Sequence, residues 1–156
     1  MRNPKSTPLI TQHAHVTERI IAAFYDVYNT LGYGFLEKVY ENALAHELRK
    51  RGFSVVQQAR ITVWYDGISV GEYLADMLVN DLVILERKAA EEIRPEHSAQ
   101  LLNYLRATTH QVGLILNFGP KPGIRRRIYD TARTVNRTPN IPRPTPSNPQ
   151  STPQTL

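Results

Sequence analysis

The sequence contains no cysteine. This excludes a disulfide framework and any thiolate metal site, and it agrees with a reducing compartment. No run of about 18 apolar residues is present, so no transmembrane helix is expected. The opening stretch "MRNPKSTPLITQHAH" lacks the apolar centre of a signal peptide. No internal repeat is visible, which argues against a repeat architecture. Acidic residues are scarce in the last quarter: residues 119–156 hold seven Lys/Arg and one Asp, a balance of +6 within a total of +5. The basic character therefore belongs to the C-terminal end, where it fits either contact with phosphates or simple solubility. The expectation is a soluble, cytoplasmic protein with no membrane partner.

With 156 residues, 41% of them hydrophobic, the chain suits one domain with a moderate core. Residues 136–156, "NRTPNIPRPTPSNPQSTPQTL", are rich in Pro, Thr, Ser and Asn and nearly free of large apolar groups. They bury too little surface to offset the entropy of ordering, so a disordered tail is expected there. Residues 1–14 are expected to be flexible, leaving 15–135 as the domain. Ile20, Phe24, Val27, Tyr28 and Leu31 follow helical spacing, with Thr17 as cap and Gly32 as stop. Leu36, Val39, Tyr40, Ala43, Leu44 and Leu48 form a second apolar stripe closed by Gly52. Three strands are expected next, in "FSVVQQARITVWYDG", "ISVGEYLADMLVN" and "DLVILERKA". A helix opening near Pro95 and a buried strand, "QVGLILNFG", follow, and "GIRRRIYD" suits an edge strand. The order α-α-β-β-β-α-β, with a possible extra edge strand, describes an α/β fold: a mixed central sheet flanked by helices.

One apolar hairpin carries unexpected charge. Its first arm holds Asp76, and its second holds Glu86 and Lys88, which share a face because they are two apart. A two-residue turn at Asn80-Asp81 would oppose Asp76 to Leu85. An odd loop, such as Asn80-Asp81-Leu82, or a bulge, would pair Val79 with Val83 and align Asp76 with Glu86. Two close carboxylates repel unless a cation joins them, and Mg²⁺ accepts two or three carboxylates while keeping several waters. From spacing alone, the simpler reading is a Glu86–Lys88 ion pair at a strand end, since such a spacing is common by chance.

The wider pattern adds to this. "GFLEKVYENAL" has the form Gly-x-x-Glu-x-x-Tyr, at Gly34, Glu37 and Tyr40. After it come "GEYLADMLV" with Asp76, "ILERKA" with Glu86 and Lys88, "HSAQLLNYLRAT" with Gln100 and Tyr104, and "VGLILNFG". In this order the motifs resemble the GxxExxY family, a branch of the PD-(D/E)XK nuclease-like superfamily, over residues 16–129. The resemblance implies a restriction-endonuclease-like core and hydrolysis of phosphodiester bonds in DNA or RNA with Mg²⁺ or Mn²⁺. It implies Asp76 and Glu86 as the main metal ligands and Glu37 as an auxiliary carboxylate. Lys88 becomes the catalytic amine, and Gln100 a residue that positions a phosphate or water. Other readings are a non-catalytic nucleic-acid- or protein-binding module that keeps the fold, or an accessory subunit of a larger complex; a homodimer is also compatible.

On a helical wheel Glu37 falls between Leu44 and Leu48, inside the core-facing stripe, where an acid is costly unless paired. Gln100 shares a stripe with His97 and Tyr104, which either faces the site or is a polar helix border. Arg125 and Arg127 lie on one face of the last strand and suit phosphate contact, with Tyr104, or protection of an edge. Two positions depart from the family pattern: Ala75 precedes Asp76 where Pro would be expected, and Arg87 fills the centre of Glu-x-Lys where an apolar residue would suit a buried strand. Glu91 and Glu92 are expected as local partners of Arg87. Of Trp64 and Tyr65, neighbours on a strand, one is expected to pack into the core.

Overall fold

The computed structural model describes residues 13–129. The elements run α1 (Ala14–Leu31), α2 (Glu37–Lys50), β1 (Val55–Tyr65), β2 (Ile68–Val79), β3 (Val83–Lys88), α3 (Pro95–Ala107), β4 (Val112–Phe118) and β5 (Pro122–Ile128). The expected order is the one found, including the extra edge strand. The expected flexible N-terminus and disordered tail lie outside the described residues, apart from His13 and Ala14, which open α1. No described helix is long and apolar enough to cross a membrane.

The strands form one sheet in sequence order, β1-β2-β3-β4-β5. Every neighbouring pair is antiparallel except β3 and β4, which are parallel and joined by α3 as the crossover. α1 and α2 cover one face. Ile20, Phe24, Tyr40, Leu44 and Leu48 pack there on Met77, Val83, Leu85, Leu114, Leu116 and Phe118. α3 covers the other face with Leu101, Tyr104 and Leu105 against Ala59, Ile61, Ile84 and Ile115. β4 is buried along its whole length because both of its faces are covered.

Helix boundaries follow local chemistry, with one departure from expectation. α1 begins at Ala14, not at Thr17. Thr17 is buried inside the helix and donates its hydroxyl to Ala14 O at 3.0 Å instead of capping a free N–H. Gly32 ends the helix with φ +68°. Arg51, at the end of α2, bonds Glu47 at 3.0 Å and pairs with Asp26 of α1, tying the two helices together.

β1 and β2 exchange faces midway. Val55 packs with the α1/α2 core, whereas Ala59 and Ile61 pack with α3. Simple alternation would keep all of these odd positions on one face. The left-handed backbone of Gln58, φ +53°, marks the change. β2 does the same around Asp76: Ala75 faces α3 and Met77 faces α1/α2. Farther out on the hairpin, Tyr65 is exposed and Trp64 is only part-buried, so neither packs into a core. The hairpin extends past the helices there.

Candidate active site

Val79 pairs with Val83, so the loop is the odd one, Asn80-Asp81-Leu82, with Asn80 and Asp81 both left-handed. The ladder between β2 and β3 runs only to Met77↔Leu85. One step further the next positions in register are 76 and 86, and side chains take over from the main chain. The Asp76 N–H donates to Glu86 Oε1 at 3.2 Å, and the Arg87 N–H donates to Asp76 Oδ2 at 2.8 Å. Each carboxylate thus meets a main-chain donor of the opposite strand.

Both groups are held away from water. Glu86 is 7% exposed. Burial, and then the charge of Asp76, push its carboxyl up to about 8. Burial also raises Asp76, opposed by the bond and charge of Arg87. Lys88 points to the same face as Glu86, and its charge favours the ionised form of both acids. No described carboxylate lies within 4 Å of its amine, so the Glu86–Lys88 ion pair is not formed among the described residues. Asp76 Oδ1 and Glu86 Oε2 accept no hydrogen bond among the described residues.

Glu37 departs from its expected place. It is the first residue of α2, its side chain is 51% exposed, and its carboxylate meets Arg87 Nη1 at 3.1 Å. The wheel angle does not by itself set burial: at the first position of α2 the side chain reaches solvent, while Tyr40 in the same turn is fully buried. The acid inside the core is Glu41, one turn later and fully buried. Burial alone would raise it, yet bonds from Lys38 (2.6 Å), Gln57 (2.7 Å) and Gln58 (2.6 Å) hold it below the usual carboxylate range. Glu41 lies three residues before Leu44 and seven before Leu48, which is the signal that would have found it.

Arg87 pairs with neither Glu91 nor Glu92. It turns to the α1/α2 face and meets Glu37, Glu41 (3.4 Å from Nη2) and Asp76 (3.3 Å from Nη1). The next turn of chain is fixed by Asn117, a buried polar residue in an apolar strand. Asn117 accepts from the Ala90 N–H at 3.0 Å and donates to Ala90 O at 2.9 Å, holding the exit of β3 just after Lys88. The polar break in "VGLILNFG" signalled this position.

The remaining expected residues are nearby but not in the pair. Gln100 is exposed and donates to the Tyr104 hydroxyl at 2.9 Å. Tyr104, expected to contact nucleic acid, is buried under α3; burial and the charge of Glu86 raise its hydroxyl. Arg125 lies in the same cross-strand row as Glu86, through Ile115, about 10 Å away at the usual strand spacing. Arg127 is one step further along β5 and donates to Arg126 O. Beyond Lys88 an open groove is lined by Glu91, Glu92, Ile93, Asn117, Lys121 and Arg125.

A family profile described as the PD-(D/E)XK nuclease superfamily matches residues 14–127. The chain belongs to this superfamily. Its mixed sheet with flanking helices is the restriction-endonuclease-like fold. A crystal structure of an alkaline exonuclease (LHK-Exo) from Laribacter hongkongensis is similar. Its TM-score is 0.47 and its identity 15%, over 81% of this chain and 75% of that one. No curated protein matches.

PD-(D/E)XK nucleases generally use divalent metal ions. In this PD-(D/E)XK protein the donor set of Asp76 and Glu86 fits such an ion: a part-buried and a buried carboxylate, each with an oxygen that accepts no hydrogen bond among the described residues, whose mutual repulsion a cation would offset. Among the described residues no group of three or more acids or histidines is arranged for a metal. The pair therefore suits an ion that keeps much of its water.

Proposed function

We propose that this chain is a metal-dependent nuclease of the GxxExxY branch, hydrolysing phosphodiester bonds in nucleic acid. The single observation that carries the reading is the pair of part-buried Asp76 and buried Glu86 beside an amine, Lys88, that has no carboxylate partner among the described residues. Asp76 and Glu86 would hold Mg²⁺ or Mn²⁺. A bound ion of this kind polarises a phosphoryl oxygen and makes a nearby water more acidic. Lys88 orients the attacking water or offsets charge on the crowded phosphorus. Gln100 reaches a phosphate or water from α3 and is steadied by Tyr104. Glu37 acts only through Arg87, which keeps Asp76 Oδ2 oriented.

The test is cleavage of labelled single- and double-stranded DNA and RNA in Mg²⁺, with Lys88→Ala as control. The wild type cuts at least one substrate; Lys88→Ala folds and does not. Equal cutting by both proteins would remove Lys88 from the mechanism. One observation favours a second reading, a binding module without catalysis: Arg87 already neutralises part of Asp76. A thermal shift with Mg²⁺ in the wild type but not in Asp76→Ala favours the nuclease. No shift in either protein favours the module.

A further inference from the structure

Tyr73 is the aromatic residue of β2, three positions before Asp76 and so about 10 Å from it along the strand. It pairs with Ile61, a buried residue of the α3 face, and its ring meets that of Tyr104 with centroids 5.7 Å apart. The two rings differ in exposure: Tyr104 is buried, whereas Tyr73 is 48% exposed. The Tyr104 hydroxyl, which accepts from Gln100, lies in the field of the carboxylate pair, since after burial it is the charge of Glu86 that raises it most. A short path thus leads from Glu86 through Tyr104 to an open aromatic ring.

The hairpin continues that surface. Val63 pairs with Gly71, and Tyr65 with Ile68. The register shifts between Val63 and Trp64, which sets Ile68 rather than Ser69 opposite Tyr65, on the face of Ile61 and Tyr73. Gly71 leaves the flank of the Tyr73 ring bare, for a Cβ there would already touch Cε2 at 3.6 Å. Tyr65 is 69% exposed and stands about 14 Å beyond Ile61 along β1. This face of the hairpin, with Ile61, Val63, Tyr65, Ile68 and Tyr73, carries no charged side chain. The opposite face carries the ion pair of Arg60 and Glu72.

A phosphodiester strand held at Asp76 and Glu86 has bases within a few nucleotides of these rings. Any base can stack on an aromatic ring, and no acid on this face repels the phosphates. In a duplex both sides of an internal base are covered by its neighbours, so an open ring beside the cut engages only a base that is unpaired or splayed out. A protein seated on the same face would instead cover the approach to Glu86 and Lys88. We propose that Tyr73 stacks a base next to the scissile phosphate, that the strand then runs along the hairpin toward Tyr65, and that the site is therefore one for single-stranded nucleic acid. This names the substrate class of the nuclease reading and rests on it.

Fluorescence anisotropy of labelled oligothymidylate, titrated with the full chain in chelator at physiological ionic strength, measures strand binding with no metal-dependent cut. An abasic strand of the same length keeps the phosphates and reports their share alone. The wild type should bind oligothymidylate about fivefold or more tighter than the abasic strand, and Tyr73→Leu should erase most of that preference. Tyr73→Phe keeps the ring and should keep the preference. Leucine still packs on Tyr104, so a purely structural role for Tyr73 would leave Tyr73→Leu unchanged. Cooperative thermal unfolding checks the fold of each variant. Tyr65→Ser should lose part of the preference, and it keeps the proposal testable should Tyr73→Leu not fold; Leu74→Ser, on the opposite face, should lose none. In Mg²⁺, Tyr73→Leu should cut a single strand with a raised KM and little change in kcat. Absence of the preference in the wild type, its persistence in folded Tyr73→Leu, cleavage of duplex alone, or self-association that Tyr65→Ser abolishes would each overturn the proposal while leaving the nuclease reading intact. Tyr73-dependent base preference without cutting by the wild type would uphold the stacking role and overturn the nuclease reading.

Discussion

Glu86→Gln should make the metal-free protein more stable at alkaline pH. The carboxyl of Glu86 moves from 4.5 to about 8 on folding, chiefly through burial. Between those values the folded chain keeps a proton that the unfolded chain has released. Stability then falls as pH rises across that window, and no further loss from this group follows above it. Each unit is worth about 1.4 kcal/mol, so the whole span is about 5 kcal/mol, comparable to the entire stability of a marginal domain. Glutamine has the same shape, carries no proton to lose, and keeps an oxygen for the Asp76 N–H. Asp76 is also raised, so it contributes a loss of the same sign in both proteins above its ordinary 3.8. The two stability curves should meet near pH 4.5 and part by about 5 kcal/mol by pH 8 to 9. Urea unfolding in chelator, at steps from pH 5 to 9, measures this directly. Added Mg²⁺ should then restore the wild type at pH 8 and leave the variant unmoved, because only an ionised pair attracts the ion. Parallel curves without metal would refute the reasoning, since they would mean that Glu86 ionises without cost.

Three further substitutions probe what holds the site in place. Tyr40→Phe removes a hydroxyl that donates to Gly32 O at 2.7 Å and accepts from the Phe35 N–H at 3.1 Å; it should cost about 1–3 kcal/mol in chemical denaturation and speed hydrogen exchange at Phe35. Asn117→Ala releases both bonds to Ala90, and should cost about 1–3 kcal/mol while lowering cleavage more than it lowers substrate binding, because Lys88 loses its anchored exit. Gly119→Ala would set a methyl 1.8 Å from Ala90 O, a main-chain atom, and should cost at least the upper end of the ~1–3 kcal/mol range for overpacking, read as a lower Tm.

Much of the fold was legible because strand and helix periods are strong signals. The continuous apolar run of β4 announced a strand covered on both faces. The alternation in β5 announced an edge. The register of the hairpin stayed open in the sequence, since a two-residue turn opposes Asp76 to Leu85 whereas an odd loop or a bulge aligns it with Glu86; the observed pairing of Val79 with Val83 is the second arrangement. The failures have a common cause. Thr17 looked like a cap, but tertiary packing buried it within a longer helix. Glu37 had the correct angle on its helix but sat at the end, whereas Glu41 held the buried position. Glu41 is sustained by Gln57 and Gln58, consecutive residues that reach one carboxylate because Gln58 is left-handed. A left-handed glutamine has no local sequence signature, so the partners of Glu41 were hidden, and with them the environment of Arg87.

That face exchange also accounts for the position of the site. Where β1 and β2 turn over, β2 no longer continues its ladder with β3, and main-chain donors at Asp76 and Arg87 lose their usual strand partners. A buried N–H without an acceptor is costly. The two carboxylates supply the acceptors, which gives them a structural reason to be inside the protein before any ion is considered. On the proposed reading, structure and chemistry use different oxygens of the same groups: Oδ2 of Asp76 and Oε1 of Glu86 hold the chain, and their sister oxygens accept no hydrogen bond among the described residues. The pair is positioned without metal and is electrostatically unfavourable without it. Metal affinity at such a site draws on relief of that repulsion, and little further rearrangement of the backbone is required.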